Sequence, residues 1–189
     1  MSISLDPPLD TDLDLAPDRC PAAITEAVGT DVLVAIAAGL AEVSSPWDLR
    51  RGESAHERRY ERVLATPSYE AWIIYWPAGT GLELHDHGDS AGAFAVVAGQ
   101  LQETSVVPGR PEIRQLRPGD AATIARGQVH GVSNTASEGA TSVHVYSPPI
   151  TTMNYFERLS DGSIISVASL TGDPECDAVD STSVRALWS

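Results

Sequence analysis

Histidines are the residues of this 189-residue chain with the clearest chemical potential. Four of the five lie in one stretch of strand-like sequence, and these are His85, His87, His130 and His144. His85 and His87 are two residues apart, so on a strand both imidazoles project to the same face. A lone histidine is most often a surface group or a hydrogen-bonded core group. In a small barrel, however, a face that carries two imidazoles is either solvent or the lumen, and in the lumen they can share a metal ion.

Glycines frame these histidines at fixed distances in two segments. In chain order the framing residues are Gly79, His85, His87 and Gly99, followed by Gly119, Gly127, His130 and Asn134. Their spacing resembles the two motifs of the cupin superfamily, G-x5-H-x-H-x4-E-x6-G and G-x5-P-x-G-x2-H-x3-N. The chain departs from these motifs at Gly92, where the first motif has glutamate, and at Ala125, where the second has proline.

The missing glutamate changes the ligand set that the cupin resemblance implies. The resemblance supplies His85, His87 and His130 as three neutral nitrogen ligands, and Gly92 supplies no carboxylate. Imidazole suits Zn, Cu, Fe or Ni, and three protein ligands leave coordination positions open for substrate or water. A divalent ion without a carboxylate ligand keeps more of its positive charge. Such a site therefore favours an anionic ligand such as a thiolate.

The sequence around the histidines resembles the cysteine dioxygenase family, the thiol dioxygenases with a three-histidine iron. The similar segments are 85–90 (HDHGDS), 127–134 (GQVHGVSN) and 142–149 (SVHVYSPP), and the resemblance covers roughly residues 58–157. It implies an enzyme with one Fe(II) per chain that oxidises the thiol of L-cysteine to cysteine sulfinic acid with O2. The glutamate position of the first motif is a cysteine in vertebrate members, cross-linked to a tyrosine. Gly92 cannot make that bond.

The same resemblance implies catalytic groups beside the metal. Ser142, His144 and Tyr146 alternate along one predicted strand and match the hydrogen-bonded relay of the family. Tyr146 is expected to be a free phenol, because the cross-linking cysteine is absent. The resemblance also implies a cis peptide bond at Ser147-Pro148, and X-Pro bonds are the sites where a cis bond costs least.

The substrate carboxylate is expected to bind an arginine upstream of the barrel. Tyr60 and Arg62 match the Tyr-x-Arg of the family members that use cysteine, and a guanidinium offers a two-pronged fork to a carboxylate. The neighbouring Arg58 and Arg59 leave the choice of arginine open. Relatives that act on 3-mercaptopropionate carry a glutamine at that place.

Two alternatives to a cysteine dioxygenase stay open. One is the same scaffold acting on 3-mercaptopropionate or another small thiol carboxylate. The other is a non-catalytic cupin that binds a metal and senses a small molecule. The row of Ser142, His144 and Tyr146 argues against the sensor, because a sensor has no evident need for an acid–base relay.

Short strands are the elements that must position these residues. Glycine and proline turns separate nine apolar or alternating runs, which predicts an antiparallel sandwich or barrel. The runs are Ala71–Trp76, Leu82–His87, Ala93–Val97, Leu101–Val106, Ile113–Leu116, Ala121–Ile124, Val129–Val132, Val143–Tyr146 and Ile164–Ala168. Residues 22–44 are predicted to be helical with a break at Gly29, and a charged segment leads from Asp48 to Arg62. The predicted fold class is mainly β, a cupin jelly-roll β-barrel with a helical N-terminal segment.

The length of the chain predicts a single domain with a sizeable core. We expect one cupin domain over residues 21–170, with the barrel at about 70–170. The segments on either side, 1–20 and 171–189, are acidic, and the first has the composition of a disordered tail.

The composition excludes several classes of function. Aspartate and glutamate number 26 against 12 arginines and no lysine, and the net charge of −14 argues against nucleic acid or an anionic membrane as a partner. Without lysine the chain cannot be a Schiff-base enzyme or a P-loop NTPase. Cys20 and Cys176 form neither a disulfide framework nor a CxxC site. With no basic leader and no apolar run of ~18 residues, a soluble cytoplasmic protein is expected. The chain is also expected to be a monomer.

Overall fold

A computed structural model describes residues 26–43, 57–107 and 110–172 of the chain. The acidic segment predicted at 1–20 lies outside these residues, as do Cys20, Cys176 and nearly all of the segment predicted at 171–189. The domain boundaries therefore stay predictions.

The described chain consists of one helix followed by eleven strands. In order they are α1 Thr30–Val43, β1 Arg59–Ala65, β2 Glu70–Trp76, β3 Gly81–Asp86, β4 Ala91–Ala98, β5 Leu101–Val107, β6 Arg110–Leu116, β7 Ala121–Ile124, β8 His130–Ser133, β9 Ala140–Ser147, β10 Thr152–Arg158 and β11 Ile164–Thr171. All nine predicted strands are present; β7 has the predicted ends, and the other eight have at least one end shifted. Glycines in the left-handed region, among them Gly79 and Gly99, turn the chain between consecutive strands.

Two antiparallel sheets face each other across the main core. One has the order β1-β2-β9-β4-β7 and the other β11-β10-β3-β8-β5-β6. Side chains of both sheets pack in that core, with Trp76 and Phe94 from the first and Leu101 and Val132 from the second. The prediction of a mainly β, cupin-type double sheet with an N-terminal helix is confirmed.

Helix α1 covers the outer face of the first sheet. Leu33 and Ala37 are fully buried there against a second apolar cluster that includes Ile73 and Val143. Strand β9 is consequently buried on both faces along its whole length. The backbone N–H of Val28 also donates to the Ser147 hydroxyl oxygen at 2.8 Å. Among the described residues, no helix has the length and apolar character needed to cross a membrane.

The structure corrects three details of the sequence prediction. Strand β1 was missed because its charges looked like a loop, but it is an edge strand that tolerates charged side chains. Strand β10, TMNYFER, was missed because it lacks a clear apolar alternation. Residues 26–28 are not helical, since α1 begins only at Thr30. The predicted cis bond at Ser147-Pro148 is confirmed.

Candidate active site

The two neighbouring strands β3 and β8 bring three histidines together. His85 lies near the end of β3, His87 follows that strand, and His130 begins β8, directly opposite His85 in the strand pairing. One ring nitrogen from each histidine lies within 4.8 Å of the others. All three side chains are almost completely buried. The structure thus brings the three sequence-predicted metal ligands into one cluster.

The missing hydrogen bonds and the neutral form of these imidazoles both fit a transition-metal site. Nδ1 of His87 and Nε2 of His130 are buried and have no hydrogen-bond partner within the described part of the chain. Buried polar atoms left in this way cost free energy unless something binds them. Desolvation by burial, followed by the charges of neighbouring histidines, lowers the pKa of both His85 and His87 well below the usual value. Neutral imidazole is the form that coordinates a metal ion.

Hydrogen bonds outside the cluster orient two of the rings. Nδ1 of His85 donates to the backbone oxygen of Glu83 at 2.7 Å, and Nδ1 of His130 donates to Glu103 Oε1 at 2.9 Å. In each case the proton sits on Nδ1, so the Nε2 lone pair faces the cluster. This arrangement is typical of metal-binding histidines.

Glu103 is a functional candidate that the sequence analysis missed. Its side chain is 0% exposed, and it accepts hydrogen bonds from both His130 and Arg114. Burial tends to raise the pKa of Glu103, but these two hydrogen bonds outweigh it and hold that pKa below the usual value. The sequence does contain a signal for this role. Glu103 lies two residues after Leu101, so on strand β5 both side chains point to the same buried face.

Glu103→Gln should weaken metal binding. The amide still accepts from His130 but carries no charge, so the imidazole becomes a poorer donor to the metal and Arg114 loses its ionic partner. We expect metal affinity to fall about 10- to 100-fold, the range for partners of metal-binding histidines. Chelator competition on the Fe(II)-loaded protein measures it. Glu112→Gln, at an exposed position of the adjacent strand, is the control, and equal affinities of the two variants would contradict the role.

A line of hydrogen bonds runs along strand β9 to the histidine cluster. Trp76 Nε1 donates to Ser142 Oγ at 2.8 Å, Ser142 Oγ contacts His144 Nε2 at 2.9 Å, and His144 Nδ1 contacts the Tyr146 hydroxyl at 3.1 Å. The Tyr146 ring centre lies 4.6 Å from that of His87. The predicted row of serine, histidine and tyrosine is therefore connected and ends at the cluster.

The direction of these hydrogen bonds follows from the donors available. Burial lowers the pKa of His144 to about 3, so its ring is neutral and carries a single N–H. Indole is only a donor. If Ser142 accepts from Trp76 and gives its own proton to His144 Nε2, the Nδ1–H of His144 donates to the Tyr146 oxygen. Every donor in the line is then satisfied, and the Tyr146 hydroxyl proton remains for the cluster.

Tyr146 is neutral at physiological pH. Burial, helped by the negative charge of Glu70, raises its pKa far above the usual value for a phenol. Its side chain is 6% exposed and packs against the backbone of strand β4. A Cβ added at Gly92, its cross-strand partner, would stand 2.8 Å from Tyr146 Cδ1. Glycine therefore permits the ring to lie where it does.

Arg62 on strand β1 and Arg58 just before that strand occupy different surroundings. Arg62 Nη1 lies 3.5 Å from Glu70 Oε2, and its guanidinium lies over the ring of Trp72. Tyr60, the other residue of the predicted Tyr-x-Arg, is 42% exposed. The Arg58 guanidinium packs over the ring of Trp76, with 5.3 Å between its carbon and the ring centre. The carboxylate-binding role of Arg62 and Tyr60 stays a prediction.

The sequence of this chain matches one protein family and several known proteins. The family described as cysteine dioxygenase type I matches residues 26–159. Cysteine dioxygenase type 1 of Danio rerio is 29% identical over 61% of this chain and 64% of its own length. The Rattus norvegicus protein of that name is 32% identical over 53% of this chain and 56% of its own length. The match thus spans less than two thirds of either relative.

The fold can be compared with solved structures as well. An uncharacterised conserved protein with a double-stranded β-helix domain from Klebsiella pneumoniae aligns with 67% of this chain and 96% of its own. The two share 21% sequence identity with a TM-score of 0.48.

Proposed function

Since the chain belongs to the cysteine dioxygenase type I family, we propose that it oxidises the thiol of L-cysteine to cysteine sulfinic acid with O2. The observation that supports the proposal most directly is the buried cluster of His85, His87 and His130, in which Nδ1 of His87 and Nε2 of His130 have no hydrogen-bond partner among the described residues. The ring of Tyr146 lies 4.6 Å from that of His87, centre to centre. A neutral three-nitrogen site beside a buried phenol suits a reaction between an anionic thiolate and O2.

The three histidines would hold one Fe(II) per chain. When bound there, Fe(II) would supply the positive charge that ionises a thiol, open coordination positions, and the redox chemistry that O2 requires. His85 and His130 are fixed by their Nδ1 hydrogen bonds, so they keep their Nε2 atoms aimed at the ion without rearrangement. The burial of all three keeps bulk water from the reacting atoms.

The overall reaction balances without any further reactant. Both atoms of O2 end on the sulfur, the thiol sulfur is oxidised to the sulfinic level, and O2 is the oxidant. The protein then has to position the thiol and O2 and stabilise charge on the oxygen atoms. Tyr146 suits that task, because its hydroxyl is neutral and its proton is free to donate into the cluster.

Oxygen uptake and product analysis test the proposal. The Fe(II)-loaded protein should consume one O2 for each cysteine and produce cysteine sulfinic acid, while the metal-free protein should produce none. A higher specificity constant for 3-mercaptopropionate would instead assign the protein to the dioxygenases of that thiol. Tight thiol binding without oxygen uptake would support the metal-binding sensor. The cytoplasmic location and the monomeric state stay predictions.

A further inference from the structure

His130 differs from the other two histidines of the cluster in the partner of its Nδ1 atom. Nδ1 of His85 bonds the neutral backbone oxygen of Glu83, whereas Nδ1 of His130 bonds the carboxylate of Glu103 at 2.9 Å. Nδ1 of His87 has no hydrogen-bond partner in the described part of the chain. A carboxylate partner raises the basicity of an imidazole ligand. His130 is therefore the ligand whose donor strength can be set from outside the cluster.

Glu103 shares its negative charge between two donors. Its Oε1 accepts from His130, and its Oε2 accepts from Arg114 Nε at 2.5 Å. Arg114 stands directly opposite Glu103 in the pairing of β6 with β5, so the register of the two strands makes this contact. The Glu103 side chain is fully buried, which keeps bulk water from competing with these donors. The strength of the bond from His130 therefore depends on Arg114.

Arg114 reaches this buried carboxylate from the surface. Its side chain is 48% exposed. It borders a cleft of about 480 Å³ that Ser105, Thr123 and Gln128 also line, between β6 and β7, the end strands of the two sheets. Water in such a cleft screens a charge, so the effect of Arg114 on its surroundings is smaller than that of a buried cation. Arg114 is therefore suited to a moderate adjustment of Glu103.

The charges of Arg114 and Glu103 act on His130 in opposite directions. The carboxylate attracts the Nδ1 proton and makes the imidazole richer in electrons, and the guanidinium draws on the same carboxylate and reduces that effect. A ligand richer in electrons stabilises Fe(III) more than Fe(II), because the ion of higher charge gains more from it. Arg114 therefore favours Fe(II), the form that the proposed reaction uses.

We propose that Arg114 is a positioning residue that sets the redox potential of iron held by the three histidines, acting through Glu103 and His130. The inference rests on the proposed function, since it takes iron as the metal of the cluster. Arg114 forms its hydrogen bond and its ion pair with Glu103, and not with a residue of the cluster. It fixes the orientation of the carboxylate and limits the charge that His130 experiences.

The test measures the Fe(III)/Fe(II) midpoint potential of the iron-loaded protein. The variants are Arg114→Gln, Glu103→Gln and the double variant that carries both changes, each titrated with redox mediators at the same pH and without thiol. Arg117→Gln, at an exposed position just beyond the end of β6, is the matched control. The thermal midpoint of each variant is recorded as well, because a purely structural ion pair would change stability and leave the potential unchanged.

The two single variants should shift the potential in opposite directions. Arg114→Gln should lower it and Glu103→Gln should raise it. Each shift should correspond to about a 10-fold change in the ratio of the Fe(III) and Fe(II) affinities, which is about 59 mV for one electron. The double variant should match Glu103→Gln, because Arg114 acts only through that carboxylate. Arg114→Lys should lie closer to wild type than Arg114→Gln does, since it keeps the charge.

Three results would overturn the inference. The first is an unchanged potential in Arg114→Gln, which would make the ion pair purely structural. The second is a potential that rises in Arg114→Gln, which would mean that Arg114 strengthens the effect of Glu103. The third is a double variant whose potential differs from that of Glu103→Gln. If Arg114→Gln does not fold, Arg114→Met replaces it, because methionine keeps an unbranched stem without the charge.

Failure of the proposed function would be visible separately. A protein that holds iron and shows these shifts, but forms no sulfinate from cysteine, refutes the dioxygenase and leaves the role of Arg114 intact. A protein that oxidises cysteine, with the same potential in wild type and Arg114→Gln, refutes only the role of Arg114. A cluster that holds no iron refutes both.

Discussion

Replacing His87 with alanine should strip the metal from the protein and abolish thiol oxidation while the barrel stays folded. The ring of His87 lies 4.9 Å from that of His85 and 5.3 Å from that of His130, centre to centre, so it completes the cluster. Removing one of three ligands should lower metal affinity roughly 100- to 1,000-fold, given the ~10–16 kcal/mol that a small set of ligands supplies to a structural zinc. Elemental analysis after dialysis measures the loss.

The control for His87→Ala is Asp89→Asn, two residues along the chain and exposed to solvent. It should keep its metal and its oxygen uptake. Circular dichroism should show the same β-rich spectrum for both variants, since His87 lies after strand β3 and not in the apolar core. Full metal occupancy in His87→Ala would refute the three-histidine site and, with it, the proposed function.

Tyr146→Phe should slow turnover roughly 100-fold without loss of metal, the effect of removing one well-placed hydrogen-bond donor from an active site. The variant keeps the ring and its packing against Gly92, and it loses only the hydroxyl that ends the line from Trp76. The fall should be in kcat more than in KM, because the proposed role of the hydroxyl is to stabilise charge that develops on oxygen. Steady-state oxygen uptake at saturating cysteine gives both constants.

Tyr69→Phe is the matched control for Tyr146→Phe, because Tyr69 packs in the cluster beneath helix α1, on the other side of the first sheet. It should leave kcat unchanged. A Tyr146→Phe enzyme with the turnover of wild type would remove the phenol from the mechanism, and a variant that also lost its metal would assign Tyr146 a structural role instead.

The features that could be predicted from the sequence are sets of residues that alternate along a single strand. His85 and His87, and likewise Ser142, His144 and Tyr146, alternate along single strands, so the two-residue repeat alone places each set on one face. Glycine spacing resembles that of the two cupin motifs, and this resemblance implied that His130 joins His85 and His87. The resemblance to the cysteine dioxygenase family implied the relay, so both sets were predicted without any knowledge of the tertiary contacts.

The features that escaped prediction depend on contacts between distant segments. Glu103 meets His130 only because strands β5 and β8 are neighbours in the sheet. The difference between Arg58 and Arg62 is set by Glu70 and Trp76, which lie on the partner strand. Nothing in a run of closely spaced arginines shows which of them faces a buried carboxylate. Three-dimensional packing decides it.

The close approach of Gly92 to Tyr146 makes these two positions a single unit of sequence change. A side chain at position 92 cannot rest beside the phenol ring, because its first carbon would already stand 2.8 Å from the ring. It must either be bonded to the ring or displace it. A residue other than glycine at position 92 should therefore be accepted only where it is bonded to the tyrosine ring or where the ring can move, so a substitution designed at position 92 also changes the setting of Tyr146.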